Sequence, residues 1–330
     1  MAEATDGWMD DGPRWGVALL NMGGPATTAD VQGFLERLLS DPYVTGIPVG
    51  GLRRWVARRV AKKRAPLTIP RYQAIGGGSP IRPQTEAQAQ ALSLALEGLP
   101  VAAAMRYSAP SADEAAQKLA AAGATHVVAL PLYPQYCRAT SETSQLDFKR
   151  AAAARGLAVR EVRSYPALEG FIEAISENIH AILPHLMNPV VIFSAHGLPE
   201  RMAKKGDPYP GEIHATVRAL AARLPAGVPH KLAFQSRLGP VKWLGPYLDE
   251  VVRRVATGGQ QDVMVVPISF VSEHIETLHE LDVEVRAIAE EAGVRRFVRV
   301  PTVQTHPAFI AGLAELASRA IETAQAGGAS

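Results

Sequence analysis

The chain has 330 residues, is 47% hydrophobic and 20% charged, and carries a formal net charge of +2. That composition supports a large buried core, excludes a disordered chain, and predicts about two domains. The small net charge gives no pointer to nucleic acid. The one cysteine, Cys137, excludes an intramolecular disulfide and a four-thiolate zinc or iron–sulfur site within one chain.

Taken in chain order, Met1–Pro13 is acidic and lacks the basic-then-apolar pattern of a signal peptide. It reads as part of a loose tail over 1–14, on a protein expected in the cytoplasm. No apolar run reaches the roughly 18 residues of a spanning helix. Strand-like apolar runs then recur at Gly16–Asn21, Val101–Arg106, His126–Leu130 and Ala158–Arg163. A second set follows at Val190–Ala195, Lys231–Gln235, Val263–Ser269 and Phe297–Val300. Helical patterns lie between them, at Thr28–Leu39, Pro83–Leu96, from Ser111, Thr140–Ala154, Leu168–Leu183, Gly211–Arg223, Leu244–Ala256, Ser272–Ala292 and from Pro307. Ser111-Ala-Asp-Glu114 fits a capping box. Alternation of strand and helix predicts parallel sheets covered on both faces. The expected fold is α/β, with two similar doubly wound (Rossmann-like) domains, each holding a four-stranded parallel sheet, and a cleft between them. The predicted divisions are 15–168, 169–305, a C-terminal helix over 306–325 packing back on the first domain, and a tail over 326–330.

In open α/β sheets the chemistry sits beyond the carboxyl ends of strands. After the first strand comes Asn21-Met-Gly-Gly-Pro25, a tight glycine turn that is not a dinucleotide fingerprint, and Gly76-Gly-Gly-Ser-Pro80 is not one either. After the fifth comes Ser194-Ala-His-Gly-Leu-Pro199, where His196 reads either as a structural histidine or as a functional one. After the seventh comes Phe270-Val-Ser-Glu-His-Ile-Glu-Thr-Leu-His-Glu280. Ser272 is expected to cap a helix with Glu273 in its first turn, and Glu276 and Glu280 to share a face. That segment is either a solvated acidic face or a source of oxygen and imidazole ligands for a divalent metal. His-Glu-x-x-His and Gly-x-Ser-x-Gly are both absent, which argues against a zinc protease and an esterase.

Positive charge is concentrated. Gly51–Arg64 holds seven of the 34 basic residues and no acid, leaving 27 against 32 acidic residues elsewhere. Its apolar positions Leu52, Trp55, Val56 and Val60 fall on one helical face. Such a helix can lie on anionic lipid or bind carboxylates; it can equally be a solvated helix packed by its apolar stripe.

Together these segments resemble the ferrochelatase family from about Val17 to Phe309. The carriers are Leu20-Asn-Met-Gly-Gly-Pro25, Ile75-Gly-Gly-Gly-Ser-Pro80, Tyr133-Pro-Gln-Tyr136, Ser194–Pro199, Gly206-Asp-Pro-Tyr-Pro210, Gln235-Ser-Arg-Leu-Gly-Pro240, Trp243-Leu-Gly-Pro246 and Ser272-Glu-His-Ile-Glu-Thr-Leu278. The resemblance implies a catalytic histidine at His196 and a carboxylate opposite it, across the ring, at Glu276, the two also contacting metal. Glu273 and His274 match the neighbouring acidic and histidine positions. Porphyrin-wall positions match Met22, Tyr133, Leu198, Trp243 and Phe270; positions near the propionates match Arg64 and Ser236; Arg106 matches a polar position deeper in the cleft. Members with an iron–sulfur cluster add a cysteine-rich C-terminal extension, so none is expected here and no cofactor is implied.

The implied reaction is insertion of Fe²⁺ into protoporphyrin IX in heme biosynthesis. A base must remove two pyrrole protons while an apolar cleft distorts the ring, and histidine suits the first task. Coproporphyrin or another tetrapyrrole, a different metal, and a non-catalytic tetrapyrrole carrier are the alternatives. Peripheral contact with the inner face of a membrane through Leu52–Arg64 is the expected partner interaction beyond porphyrin and Fe²⁺.

Overall fold

The computed structural model describes residues 12–327 except 238, 240 and 259–261. Most of the N-terminal tail, the end of the C-terminal one, and Leu238 and Pro240 of the Gln235–Pro240 segment lie outside the described residues.

Eight apolar runs form strands: β1 (Trp15–Asn21), β2 (Val101–Met105), β3 (His126–Pro131), β4 (Ala158–Glu161), β5 (Pro189–His196), β6 (His230–Gln235), β7 (Asp262–Pro267) and β8 (Arg296–Arg299). They make two four-stranded parallel sheets of matching order, β2-β1-β3-β4 and β6-β5-β7-β8. This is the doubly wound architecture expected from the alternation. Every residue of β1 and of β7 is buried. Helices cover both faces of each sheet, so apart from Asn21 and Asp262 at their ends these runs are apolar throughout rather than alternating.

The helices are α1 (Val31–Leu39), α2 (Pro42–Thr45), α3 (Gly50–Ala74), α4 (Ile81–Ala95), α5 (Ala112–Ala121), α6 (Thr143–Ala153), α7 (Glu169–Ile182), α8 (Glu200–Lys204), α9 (Tyr209–Ala221), α10 (Leu248–Thr257), α11 (Arg286–Glu291) and α12 (Pro307–Gly327). The capping box at Ser111 forms, with the Ser111 N–H donating to the Glu114 carboxylate at 2.6 Å and the Glu114 N–H to Ser111 Oγ at 3.3 Å.

Two helix starts differ from expectation. The predicted helix from Leu244 begins at Leu248, because the chain bends at Gly245-Pro246 and the Pro246 carbonyl accepts the Phe234 N–H at 2.9 Å. The predicted helix from Ser272 begins only at Glu276. Its first ten residues, Glu276–Val285, are a π-helix that passes into α11. Ser272 does not cap it: its hydroxyl turns to Gln88 Oε1 of α4 at 3.3 Å. Glu273 is therefore not in a first helical turn.

Three apolar layers pack against the two sheets, and the inner one joins the halves. Ala18, Leu20, Val127 and Ala129 pack under α5 and α6 on the outer face of the first sheet. Val190, Ile192, Val263 and Val265 pack under α10 and the π-helix on the outer face of the second. The inner faces, carrying Val17, Leu19, Val128 and Leu130 from one sheet and Val191, Phe193, Met264 and Val266 from the other, share one continuous core with α7, α9 and α12. At the α7–α12 crossing the backbones nearly touch: a Cβ on Gly170 would lie 2.1 Å from the Ala308 carbonyl oxygen.

α3 is longer than the basic run predicts and continues through Pro66 and Pro70. Each proline leaves the carbonyl four residues back without its helical donor. Lys62, Pro66 and Pro70 all fall on the exposed side, where water can serve those carbonyls. The buried side is an alanine row, Ala57, Ala61 and Ala65, the last two packed with Phe34 and Leu35 of α1. Leu52 and Trp55 are 52% and 57% exposed, so the predicted apolar stripe is not what anchors this helix.

Candidate active site

Each sheet has one place where the winding reverses, between its two central strands, and the carboxyl ends there open a crevice. All four site segments follow those central strands. The glycine turn follows β1, the Tyr133 segment β3, the His196 segment β5 and the Phe270–Glu280 segment β7. They enclose a cleft of about 560 Å³.

The turn after β1 needs its glycine. Gly23 has φ +81°, and a Cβ there would lie 2.2 Å from Ser108 Oγ. It presents Met22 to the cleft beneath Tyr72 and Tyr107. Tyr133, after β3, lines the same wall, its hydroxyl 3.4 Å from Ser144 Oγ.

The opposite wall comes from the second sheet. His196 ends β5; its backbone N–H donates to Ser269 Oγ at 3.1 Å and its carbonyl accepts the Tyr209 hydroxyl at 2.9 Å. Its Nδ1 lies 2.6 Å from the Gly197 carbonyl, which only accepts, so Nδ1 carries a hydrogen and Nε2 is the titrating atom. Nε2 stands 3.4 Å from Glu276 Oε1, and His274 Nε2 stands 3.5 Å from Glu276 Oε2. The rings of Trp243 and Phe270 meet His196 edge-on at 6.4 and 6.2 Å.

Glu276 is therefore not across a ring from His196. β5 and β7 are neighbours in one sheet, so groups leaving their carboxyl ends fall on one wall. Met22 and Tyr133, from the other sheet, face them. A flat ring entering the cleft meets the imidazole and the carboxylate on the same side.

Burial alone would lower the pKa of His196, but the Glu276 carboxylate, through charge and hydrogen bond, outweighs it and raises the value to about 9. Burial would raise Glu276; the charge and hydrogen bond of His196, with His274 behind, hold it well below the usual carboxylate range. At neutral pH the pair is an imidazolium and a carboxylate. Glu280 runs the other way: burial and the charge of Glu276 push it up. Glu280 accepts the Ser236 N–H at 2.6 Å and the Ser236 hydroxyl at 2.5 Å, holding Ser236 at φ +64°.

All the residues singled out from the sequence line the cleft except Arg106 and Glu273. Arg106 pairs with buried Asp41 at 2.8 Å and with Thr143 at 3.0 Å. Glu273 is buried against Arg299 at 2.9 Å and accepts the Thr302 N–H at 2.9 Å, so it braces the loop that carries His274 and Glu276. Burial would raise its pKa, and the Arg299 charge more than reverses that.

Several organising residues escaped the sequence reading. Asp41 gathers Arg106, Tyr107 and Thr143; its place before Pro42 is a recognisable N-cap signal. Gln88 of α4 donates to the carbonyls of Val271 and Gln304 at 3.0 and 2.9 Å, and Gln135 to that of Ile268 at 3.0 Å. Gln84 accepts the Glu273 N–H at 2.7 Å. The first half thus clamps the loop after β7. No local signal marks these glutamines, because their partners lie more than a hundred residues away.

Among the described residues no group of three or more His, Cys, Asp or Glu forms a ready metal cage. His196 and Glu276 could each give one ligand to a divalent ion once Nε2 has lost its proton.

Solved structures share this fold. SirB from Bacillus subtilis, determined with Fe³⁺, superposes with a TM-score of 0.59 at 11% identity over 94% of this chain and 98% of that one. The sirohydrochlorin chelatase SirB from Bacillus subtilis subspecies spizizenii, in complex with cobalt, gives 0.57 at 10% identity over 95% and 97%. The molecule is thus a two-sheet α/β protein with the chelatase fold. A family model described as Ferrochelatase matches residues 14–321. The ferrochelatase of Cyanothece sp. is 41% identical over 321 residues, covering 94% of this chain and 83% of its own. That of Synechocystis sp. is 41% identical over 315 residues, covering 92% and 81%. The chain belongs to the ferrochelatase family.

Proposed function

We propose that this protein inserts Fe²⁺ into protoporphyrin IX, releasing two protons and protoheme. The observation that carries the reading is the His196–Glu276 pair, set among aromatic rings at the floor of a cleft whose other wall is Met22 and Tyr133. An apolar cleft takes a flat ring; the pair meets the ring centre from one side. His196 accepts a pyrrole proton only once Nε2 is free. A dication arriving beside Glu276 weakens the attraction that holds the Nε2 proton, so metal approach itself readies the base. Glu280, whose pKa is pushed up by burial and the charge of Glu276, is the next group along the π-helix, and Glu284 follows it at the cleft edge. The three carboxyl groups make a track for protons leaving or hydrated metal arriving.

The test is a spectral assay: porphyrin with Fe²⁺ or Zn²⁺, watching the absorption bands change with time. Wild type should convert protoporphyrin and His196→Ala should not, while His196→Ala still binds the ring. A folded His196→Ala protein that inserts metal at the wild-type rate would overturn the role of His196. Faster turnover of coproporphyrin would assign the other ring.

Arg64 and Ser236 are proposed to sit at the propionates. The exposed Leu52 and Trp55, with the basic side chains of α3 around them, are proposed to rest on the inner face of a membrane, on a protein otherwise in the cytoplasm. No helix is long and apolar enough to cross a membrane among the described residues. No iron–sulfur cluster is proposed.

A further inference from the structure

We infer that Gln88 is a positioning residue for metal insertion: from α4, behind the cleft, it fixes where the His196–Glu276 pair stands relative to the wall that carries Met22. This deepens the porphyrin reading above and rests on it.

Gln88 is fully buried and does not line the cleft. A buried amide is costly unless its donors and acceptor are met. Here every bond goes to the chain behind the pair. Nε2 donates to the carbonyls of Val271 and Gln304 at 3.0 and 2.9 Å, and Oε1 accepts the Ser272 hydroxyl at 3.3 Å. One turn earlier on the same face of α4, Gln84 accepts the Glu273 N–H at 2.7 Å. Val271, Ser272 and Glu273 are thus fastened to α4 immediately before His274 and Glu276. Gln304 sits at φ +44°, a left-handed conformation that a residue other than glycine keeps only where its surroundings over-determine it. Its N–H donates at 3.0 Å to the same Val271 carbonyl that Gln88 reaches, so Gln88, Val271 and Gln304 lock one another.

The same helix holds the opposite wall. Thr85, beside Gln84, is fully buried and accepts the Asn21 side-chain amide at 3.0 Å, and Asn21 Oδ1 accepts the Met22 N–H at 2.8 Å. α4 therefore carries the Met22 turn on Thr85 and the loop of the pair on Gln84 and Gln88. A ring seated against Met22 meets the pair at a distance set by this one helix. Misplacing a reacting group by about 1 Å can cost about a hundredfold in rate. An apolar side chain of the same length would fill the space of Gln88 but leave two carbonyls unpaired and the loop free to shift.

The test is steady-state metal insertion by the full chain at saturating Zn²⁺ and varied porphyrin, well below each variant's thermal midpoint. In Gln88→Met kcat should fall about tenfold or more while KM for porphyrin stays within about twofold, because the lining side chains are untouched. Ser272→Ala removes one bond of the set and should lower kcat about threefold in the wild-type chain but not further in Gln88→Met, since the two share that bond. A folded Gln88→Met protein with wild-type kcat overturns the role. So does a loss confined to KM, which would make Gln88 a support of the ring wall alone, and so do losses for Gln88 and Ser272 that simply multiply. Should Gln88→Met not fold, Ser272→Ala and Gln84→Met decide: lowered kcat at constant KM supports the role, and unchanged kcat in both overturns it. Wild type that inserts metal into no porphyrin overturns the chelatase reading and this role together, an outcome separate from the others.

Discussion

His196 and Glu276 hold one another in their charged forms, and that sets a pH signature. His196 is raised above the ordinary imidazole value of about 6.5, to about 9. Its pairing stabilises the fold fully below the ordinary value and is lost as pH rises through about 9. The complementary share from Glu276 is present above the ordinary carboxylate value and is lost only in acid. Glu276 and Glu280 are the carboxylates that raise His196, and His274 competes for Glu276. Titration of the His196 ring by NMR in wild type should therefore centre near 9. In Glu276→Gln it should fall toward or below about 6.5, since burial then acts against less opposing charge. A wild-type midpoint near the ordinary value would sink the ion pair. Cys137 shows the opposite effect of surroundings: burial, then the nearby Asp207, push its thiol up to about 12. A buried thiol kept protonated is a poor ligand for iron. Protein purified without oxygen should contain no acid-labile sulfide, and stoichiometric sulfide would contradict this.

Among the elements, α3 carries the plainest division between a buried and an offered face. Its alanine row packs on α1, while Leu52 and Trp55 stay exposed and Arg59 lies over the Trp55 ring at 5.0 Å. Not every cation is available: Arg53 donates to the carbonyls of Ser40 and Ile47, both at 2.7 Å. Arg54, Arg58 and Lys62 are exposed, Arg58 in an open ion pair with Glu36 at 2.8 Å. Each basic residue near an anionic surface contributes about 1 kcal/mol, so reversing these three to Glu should weaken vesicle sedimentation by roughly a hundredfold or more at low salt. Turnover of detergent-dispersed porphyrin should stay near wild type. Undiminished sedimentation would return α3 to a solvated face. The central strands were legible because each is a short, mostly apolar run bounded by turn residues. The start of the π-helix was not, because Ser272 spends its hydroxyl on Gln88, a partner 184 residues away. The buried face of α3 was obscured because alanine carries little hydrophobic signal beside Trp and Leu, although a small side chain is what lets two helices approach.

At the scale of the molecule, the two sheets were legible as a count of strands, and their carboxyl ends located the cleft. Which wall each group would occupy was not legible, since that depends on strand order, and Glu276 came out beside His196 rather than opposite it. Nor was the shared core, which depends on α7 and α12 meeting at Gly170. A methyl group there would collide with the Ala308 backbone, which cannot swing aside as a side chain can. Gly170→Ala should force α7 and α12 apart and cost about 1–3 kcal/mol, the usual range for overpacking. Thermal unfolding should show a midpoint several degrees lower, with the pH behaviour of His196 unchanged. An unaltered midpoint would mean that the crossing relaxes freely.

The placement of β5 beside β7 has a consequence for how such an enzyme diversifies. The His196–Glu276 pair, for which proton handling and metal contact are proposed, issues from one sheet, while the facing wall and its arginine helix belong to the other half of the chain. The pair and the wall that faces it are thus written in separate stretches of sequence, while Trp243 and Phe270 share the pair's own wall. Drift in the first half can refit the cleft to a ring with different substituents and leave the imidazole–carboxylate pair intact. Changes around β5 and β7 can retune the pair and leave Met22 and Tyr133 in place. The duplicated architecture thus lets one wall change while the other is held constant.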